Sequence, residues 1–142
     1  MRVKIKRFDQ ELPLPEYKTS GSVGFDIYTR VDTKIGPSQV QKIPANLGVA
    51  VPKGYYLMVE PRSSTMFKFG LLVIGGTIDQ DYSGDTDEIN ITVYNLTKKT
   101  VTLAKGTRVA QGIFSKIAKA KFVEVKKLGK KSRGGFGTTG YK

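Results

Sequence analysis

Apolar and polar positions alternate along most of this chain in short runs, each closed by glycine, proline or a polar turn. A period of two predicts β-strands with one face turned to a core. Strands are expected over residues 3–8, 21–30, 39–51, 55–60, 100–103, 107–117 and 121–125. Within residues 21–30, Phe25, Ile27 and Thr29 alternate with Asp26 and Tyr28. Pro13 and Pro15 make residues 11–20 an extended connection, and Pro52, Lys53 and Gly54 form a turn between two strands. Residues 75–95 read as a glycine-flanked β-hairpin arm leading into a half-buried strand, with Ile89, Ile91 and Val93 inward before Asn95. Helical spacing is confined to residues 64–69, where Ser64 is placed to cap the first amides. Many short strands with one short helix define an all-β class, a sandwich or jelly roll.

The chain's 142 residues suit one domain with a real core. Its body is expected over 1–129, followed by a glycine-rich tail over 130–142, which has too few apolar groups to offset the cost of ordering. There is no Cys and no His. Disulfides, cysteine-held zinc, thiol nucleophiles, Ser-His-Asp triads and HExxH zinc sites are thereby excluded, and carboxylates remain as the general bases. The N-terminus carries no apolar stretch that could be a signal or span a membrane, so an intracellular, soluble protein is expected. A net charge of +12 asks for an anionic partner without choosing one.

Candidate chemistry falls on five stretches. Asp79 follows a strand and stands near Tyr82, which fits a base beside a ring-recognising wall or, more plainly, a polar turn. Arg62, Ser63 and Ser64 can hold phosphate oxygens; the plainer reading is a surface ion pair and an N-cap. Arg108 and Gln111 lie among strand positions that look buried and must find partners there. Asp26 likewise needs a cation or donors. In the tail, Arg133, Phe136, Gly137, Thr138 and Thr139 can fold over an anion and a base, or form a disordered terminus.

In order and spacing, GSVGFDIYT (21–29), PRSS (61–64), GGTIDQDYSG (75–84), GTRVAQGIF (106–114) and RGGFGTTG (133–140) resemble the five motifs of the trimeric dUTPase family. The resemblance implies a jelly-roll subunit, a homotrimer with shared active sites, and Mg²⁺-dependent hydrolysis of dUTP to dUMP and pyrophosphate. That reaction removes dUTP and supplies dUMP for thymidylate synthesis, in the cytoplasm or inside a host cell if the source is viral. Asp79 matches the base that activates the attacking water, and Tyr82 the wall against the deoxyribose. A hairpin around residues 73–77, with Val73, Gly76, Thr77 and Ile78, is implied to offer backbone groups to uracil. Arg62, Ser63, Ser64 and Gln111 match phosphate contacts. Asp26 matches the carboxylate that reaches magnesium through water, and Phe136 the ring over uracil. Gly137, Thr138 and Thr139 meet the outer phosphates, with Lys131 or Arg133 at the γ-phosphate. No specific nucleic acid or membrane partner is implied.

The sequence departs from the family pattern in three places. Asp85, Thr86, Asp87 and Glu88 lengthen and acidify a turn, where a surface bulge with little effect on chemistry is expected. Arg133 lies only three residues before Phe136, and Ile74 stands where a small residue is usual. Two rival readings are a dCTP deaminase and a basic binding module for dUTP or single strands.

Overall fold

Period-two alternation becomes strand almost everywhere it occurs. The structure, a computed structural model, describes residues 1–135. In chain order its elements are β1 (Ile5–Arg7), β2 (Phe25–Tyr28), β3 (Thr33–Ile35), β4 (Val40–Pro44), β5 (Leu47–Val49), β6 (Tyr55–Pro61), α1 (Thr65–Phe69), β7 (Leu71–Ile74), β8 (Gly76–Ile78), β9 (Asn90–Asn95), β10 (Val101–Leu103) and β11 (Arg108–Lys116). All pairings are antiparallel. One sheet has the order β2-β11-β6-β8 and a second β4-β9-β7, while β1-β5 and β10-β3 form two-stranded pairs. The hydrogen-bonded strands of the described residues do not join into a closed barrel.

A single apolar cluster lies between the two larger sheets. Phe25, Ile27, Leu57, Val59, Val109 and Ala110 enter it from one, and Ile43, Leu71, Val73, Ile91 and Val93 from the other. Ile43, Leu57, Ile91 and Val93 are fully buried, each contributing about 1.5–3 kcal/mol relative to exposure. Gly112 lets β11 pass over the Phe25 ring, because a Cβ there would collide with it. Asn95, wholly buried, ends β9 by donating to the carbonyls of Ile35, Gly36 and Lys99 at 2.8–3.1 Å. No helix among the described residues is long and apolar enough to cross a membrane.

Four expectations change. Residues 39–51 form two strands, because Asn46 takes a left-handed backbone (φ 58°) and exchanges hydrogen bonds with Asp9, turning the chain from one sheet to another. Residues 75–95 are not a hairpin arm. β8 pairs with β6, β9 pairs with β4 and β7, and the intervening loop crosses between sheets. Nor is there a hydrogen-bonded hairpin at 73–77, since β7 and β8 belong to different sheets and the chain changes sheet at Gly75. Residues 121–125 form no strand. Phe122, Val123, Val125 and, just beyond, Leu128 are 55–94% exposed, so the apolar pattern is present but nothing among the described residues covers it.

Candidate active site

Strand β6 separates two groups of functional side chains. At its start, β8 pairs so that Leu57 faces Ile78 and Met58 faces Thr77. Asp79 therefore leaves the sheet beside Tyr56, and Gln80 fixes that exit by donating from Nε2 to the Tyr55 carbonyl at 2.9 Å. Thr77 and Asp79, both exposed, line a groove of about 680 Å³ with Tyr55, Tyr56, Gln80, Asp81 and Lys119. β8 and β7 are each the last strand of their sheet. Among the described residues their outer edges consequently offer unpaired backbone donors and acceptors on both sides of Gly75. Val73 points its side chain into the core, and only its backbone can face a ligand. Ile74 is 45% exposed and faces away from that core.

Tyr82 sits farther along the crossing loop, 39% exposed, with its hydroxyl donating to the Glu88 carbonyl at 3.0 Å. The lengthened turn is a bulge only at Asp85 and Thr86, which are exposed. Glu88 folds inward instead. Its carboxylate takes Arg30 Nε at 2.8 Å and Nη2 at 2.9 Å, and the Asn46 amide at 2.8 Å.

Arginines gather at the far end of β6. Asp26, on β2 and only 6% exposed, forms an ion pair with Arg62 Nε at 2.8 Å through one oxygen and accepts a hydrogen bond from Arg108 Nη1 at 2.7 Å on the other. The hydrogen bond to Asp26, and then the attraction of the same carboxylate, raise the Arg108 guanidinium above its ordinary value. Two fixed cations thus share one buried anion. Arg62, Arg108, Ser64 and Lys68, with Phe69, Gly106 and Thr107, line a cleft of about 360 Å³. Ser64 occupies the N-cap position of α1 but its hydroxyl makes no capping bond, contrary to expectation. Its hydroxyl and that of Ser63 are exposed and available to a ligand. Gln111 donates from Nε2 to the Pro61 carbonyl at 3.0 Å, and its amide fills the space that a side chain at Gly24 would take.

Exchanging Asp26 for Asn should lower stability by about 1–3 kcal/mol. Both guanidinium groups are about a third exposed, so water recovers part of what they lose. A fall in thermal midpoint together with weaker triphosphate binding is the expected result. An unchanged midpoint would mean that the carboxylate does not hold the two arginines.

From Tyr56, near the start of β6, to Arg62, the residue after its end at Pro61, the chain advances six residues, about 20 Å at strand rise. One chain therefore keeps Asp79 apart from the arginine cleft. Lys131 and Arg133 are exposed, while Phe136, Gly137, Thr138 and Thr139 lie outside the described residues. Sequence reasoning missed Lys68, Lys119, Tyr55, Tyr56 and Arg30. Lys68 was within reach, since it lies four residues after Ser64 and so one turn along on the same helix face. Lys119 and Arg30 depend on long-range packing that no local pattern shows.

Paired guanidinium groups beside exposed hydroxyls, and a separate exposed carboxylate at an open strand edge, are the features of this all-β protein's candidate site. The chain belongs to the dUTPase family, whose sequence profile matches residues 10–140. It is 40% identical over 147 residues to the deoxyuridine 5'-triphosphate nucleotidohydrolase of Finegoldia magna, covering 99% of this chain and all of that one. It is 36% identical to the enzyme of the same name from Caldanaerobacter subterraneus, covering 97% of each. Its fold matches that of the Staphylococcus bacteriophage 80alpha dUTPase solved with dUPNHPP, with a TM-score of 0.88 at 21% identity over 98% of each chain. The dUTPase of phage phi11 of S. aureus, described with a structural Mg(II) ion, matches with a TM-score of 0.82 at 18% identity over 90% of this chain and 99% of that one.

Proposed function

We propose that the chain hydrolyses dUTP to dUMP and pyrophosphate, removing dUTP and supplying dUMP for thymidylate synthesis. The observation that carries this reading is Asp79, exposed at the open end of edge strand β8 in a chain of the dUTPase family. Water attacks the α-phosphorus in line, Asp79 takes its proton, and pyrophosphate leaves. Negative charge that develops on the phosphate oxygens is met by Arg62, Ser63, Ser64 and Gln111. Tyr82 packs against the deoxyribose, and backbone groups of Val73, Gly76, Thr77 and Ile78 address the uracil edge. Phe136 over the base, Gly137, Thr138 and Thr139 at the outer phosphates, and Lys131 or Arg133 at the γ-phosphate complete the reading from sequence. The tail 130–142 acts as a closing segment on the body 1–129.

Magnesium suits this site only as a passenger on the nucleotide. Among the described residues no group of three Asp or Glu side chains could cage it. Asp26 gives one acceptor site on each oxygen to an arginine, leaving lone pairs that can accept from a metal-bound water. When bound, Mg²⁺ would neutralise charge on the phosphates.

A homotrimer of jelly-roll subunits with shared sites is part of the proposal. Two observations support it: Asp79 and Arg62 lie at opposite ends of β6, and the apolar side chains of residues 122–128, uncovered among the described residues, are suited to burial by a neighbouring subunit. The working compartment is the cytoplasm, or a host cell's interior if the source is viral.

Pyrophosphate release should be fast with dUTP and slow with dTTP, dCTP and UTP, and EDTA should abolish it. Ammonia release from dCTP, or tight binding of dUTP without turnover, would overturn the reading.

A further inference from the structure

The crossing loop, residues 79–89, carries both Asp79 and Tyr82, yet few backbone hydrogen bonds organise it. Within it Tyr82 donates its amide to Asp79, Asp87 to Gly84, and Glu88 to Thr86. An aromatic wall that tells deoxyribose from ribose must be held to a fraction of an ångström, and these backbone bonds do not reach the ring of Tyr82. What holds it lies in the lengthened turn. Glu88, whose side chain is 12% exposed, is fixed by both nitrogens of the Arg30 fork and by the Asn46 amide. Asn46 is itself tied to Asp9. The carbonyl of Glu88 then receives the Tyr82 hydroxyl at 3.0 Å. Lys6 pins the same turn from β1 by donating to the Asp85 carbonyl at 2.6 Å.

We propose that Glu88 is a positioning residue for sugar selection: its ion pair with Arg30 anchors the loop, and its carbonyl fixes the ring of Tyr82 against the deoxyribose. This inference rests on the dUTP reading above. A bidentate guanidinium–carboxylate pair is suited to the task, because two parallel bonds fix orientation as well as distance. The added acidic residues are thus more than a surface bulge. They supply the anion that Arg30 grips, and Arg30 is already part of the body through its amide bond to the Pro44 carbonyl at 2.8 Å.

The test compares kcat/KM for dUTP and UTP in the full-length wild type, Glu88→Ala, Glu88→Gln, Tyr82→Phe and the double variant Glu88→Ala/Tyr82→Phe. The wild type must first hydrolyse dUTP, which separates failure of the enzyme reading from failure of this one. Glu88→Ala and Tyr82→Phe should each reduce the dUTP over UTP preference by about ten- to a hundredfold, the scale of a mispositioned group. The double variant should lose no more than the worse single one, and Glu88→Gln, which keeps an acceptor, should retain most of the preference. Tyr82→Phe alters one exposed hydroxyl and should fold normally, so it probes the link even if Glu88→Ala does not fold. An unchanged preference in Tyr82→Phe, or losses that multiply in the double variant, overturns the proposal. So does a lowered melting temperature in Glu88→Ala with its preference intact.

Discussion

Asp79→Asn is expected to lower kcat for dUTP by about 10²- to 10⁴-fold, the usual contribution of a positioned general base. KM and the melting temperature should hardly move. Asp79 is exposed at the exit of β8 and makes no side-chain hydrogen bond among the described residues, so Asn removes neither packing nor a structural contact seen there. Asn keeps the size and one acceptor but cannot take a proton at neutral pH. A loss confined to kcat identifies an interaction made only in the transition state. Steady-state pyrophosphate release beside thermal denaturation separates the possibilities: near-normal turnover would reduce Asp79 to a turn residue, and a collapse of the melting temperature would make it a structural one.

Local pattern carried the strands because side-chain alternation and burial are the same fact seen twice. Phe25 and Ile27, Ile91 and Val93, and Val109 with Ala110 reach the core where alternation or an apolar run put them. Pairing was less legible. Residues 75–95 look like a hairpin because a glycine turn precedes a strand, yet β8 and β9 join different sheets. Only the competition of all strands for partners decides that, and Gly75 gives no sign of it. The break at Asn46 was hidden for a related reason, since its left-handed turn is stabilised by Asp9, far away in sequence.

Site residues divided along the same line. Arg62, Ser63 and Ser64 announced themselves as a compact group, and the structure adds that Ser64's hydroxyl is unused by α1. Asp26 needs a cation or donors by burial alone, but that two arginines meet it depends on long-range packing: Arg108 comes from β11, which pairs with β2, and Arg62 from the end of β6, which pairs with the other side of β11. Glu88 looked like part of a solvated acidic run. Its burial depends on Arg30, and no spacing rule links those two positions.

The separation of Asp79 from Arg62 along β6 leads to the sharpest test of assembly. An Asp79→Asn chain retains its arginine cleft, and an Arg62→Gln chain retains its carboxylate and an N–H donor for Asp26. Each alone should be crippled, the second by about 10²-fold for the loss of a charged contact to the developing phosphate charge. If a working site takes Asp79 from one subunit and Arg62 from another, co-refolding equal amounts should rebuild intact sites. Each required residue is then present in half the chains, so about a quarter of sites in random trimers hold both. That signal stands well above a background of about one per cent. A site contained in one chain predicts the opposite, because every chain in the mixture carries one defect and no site can be whole. Mass-verified mixed trimers that stay at background, or an active species that sediments as a monomer, would place the whole reaction within a single subunit and require the loop after β8 to reach the far end of β6.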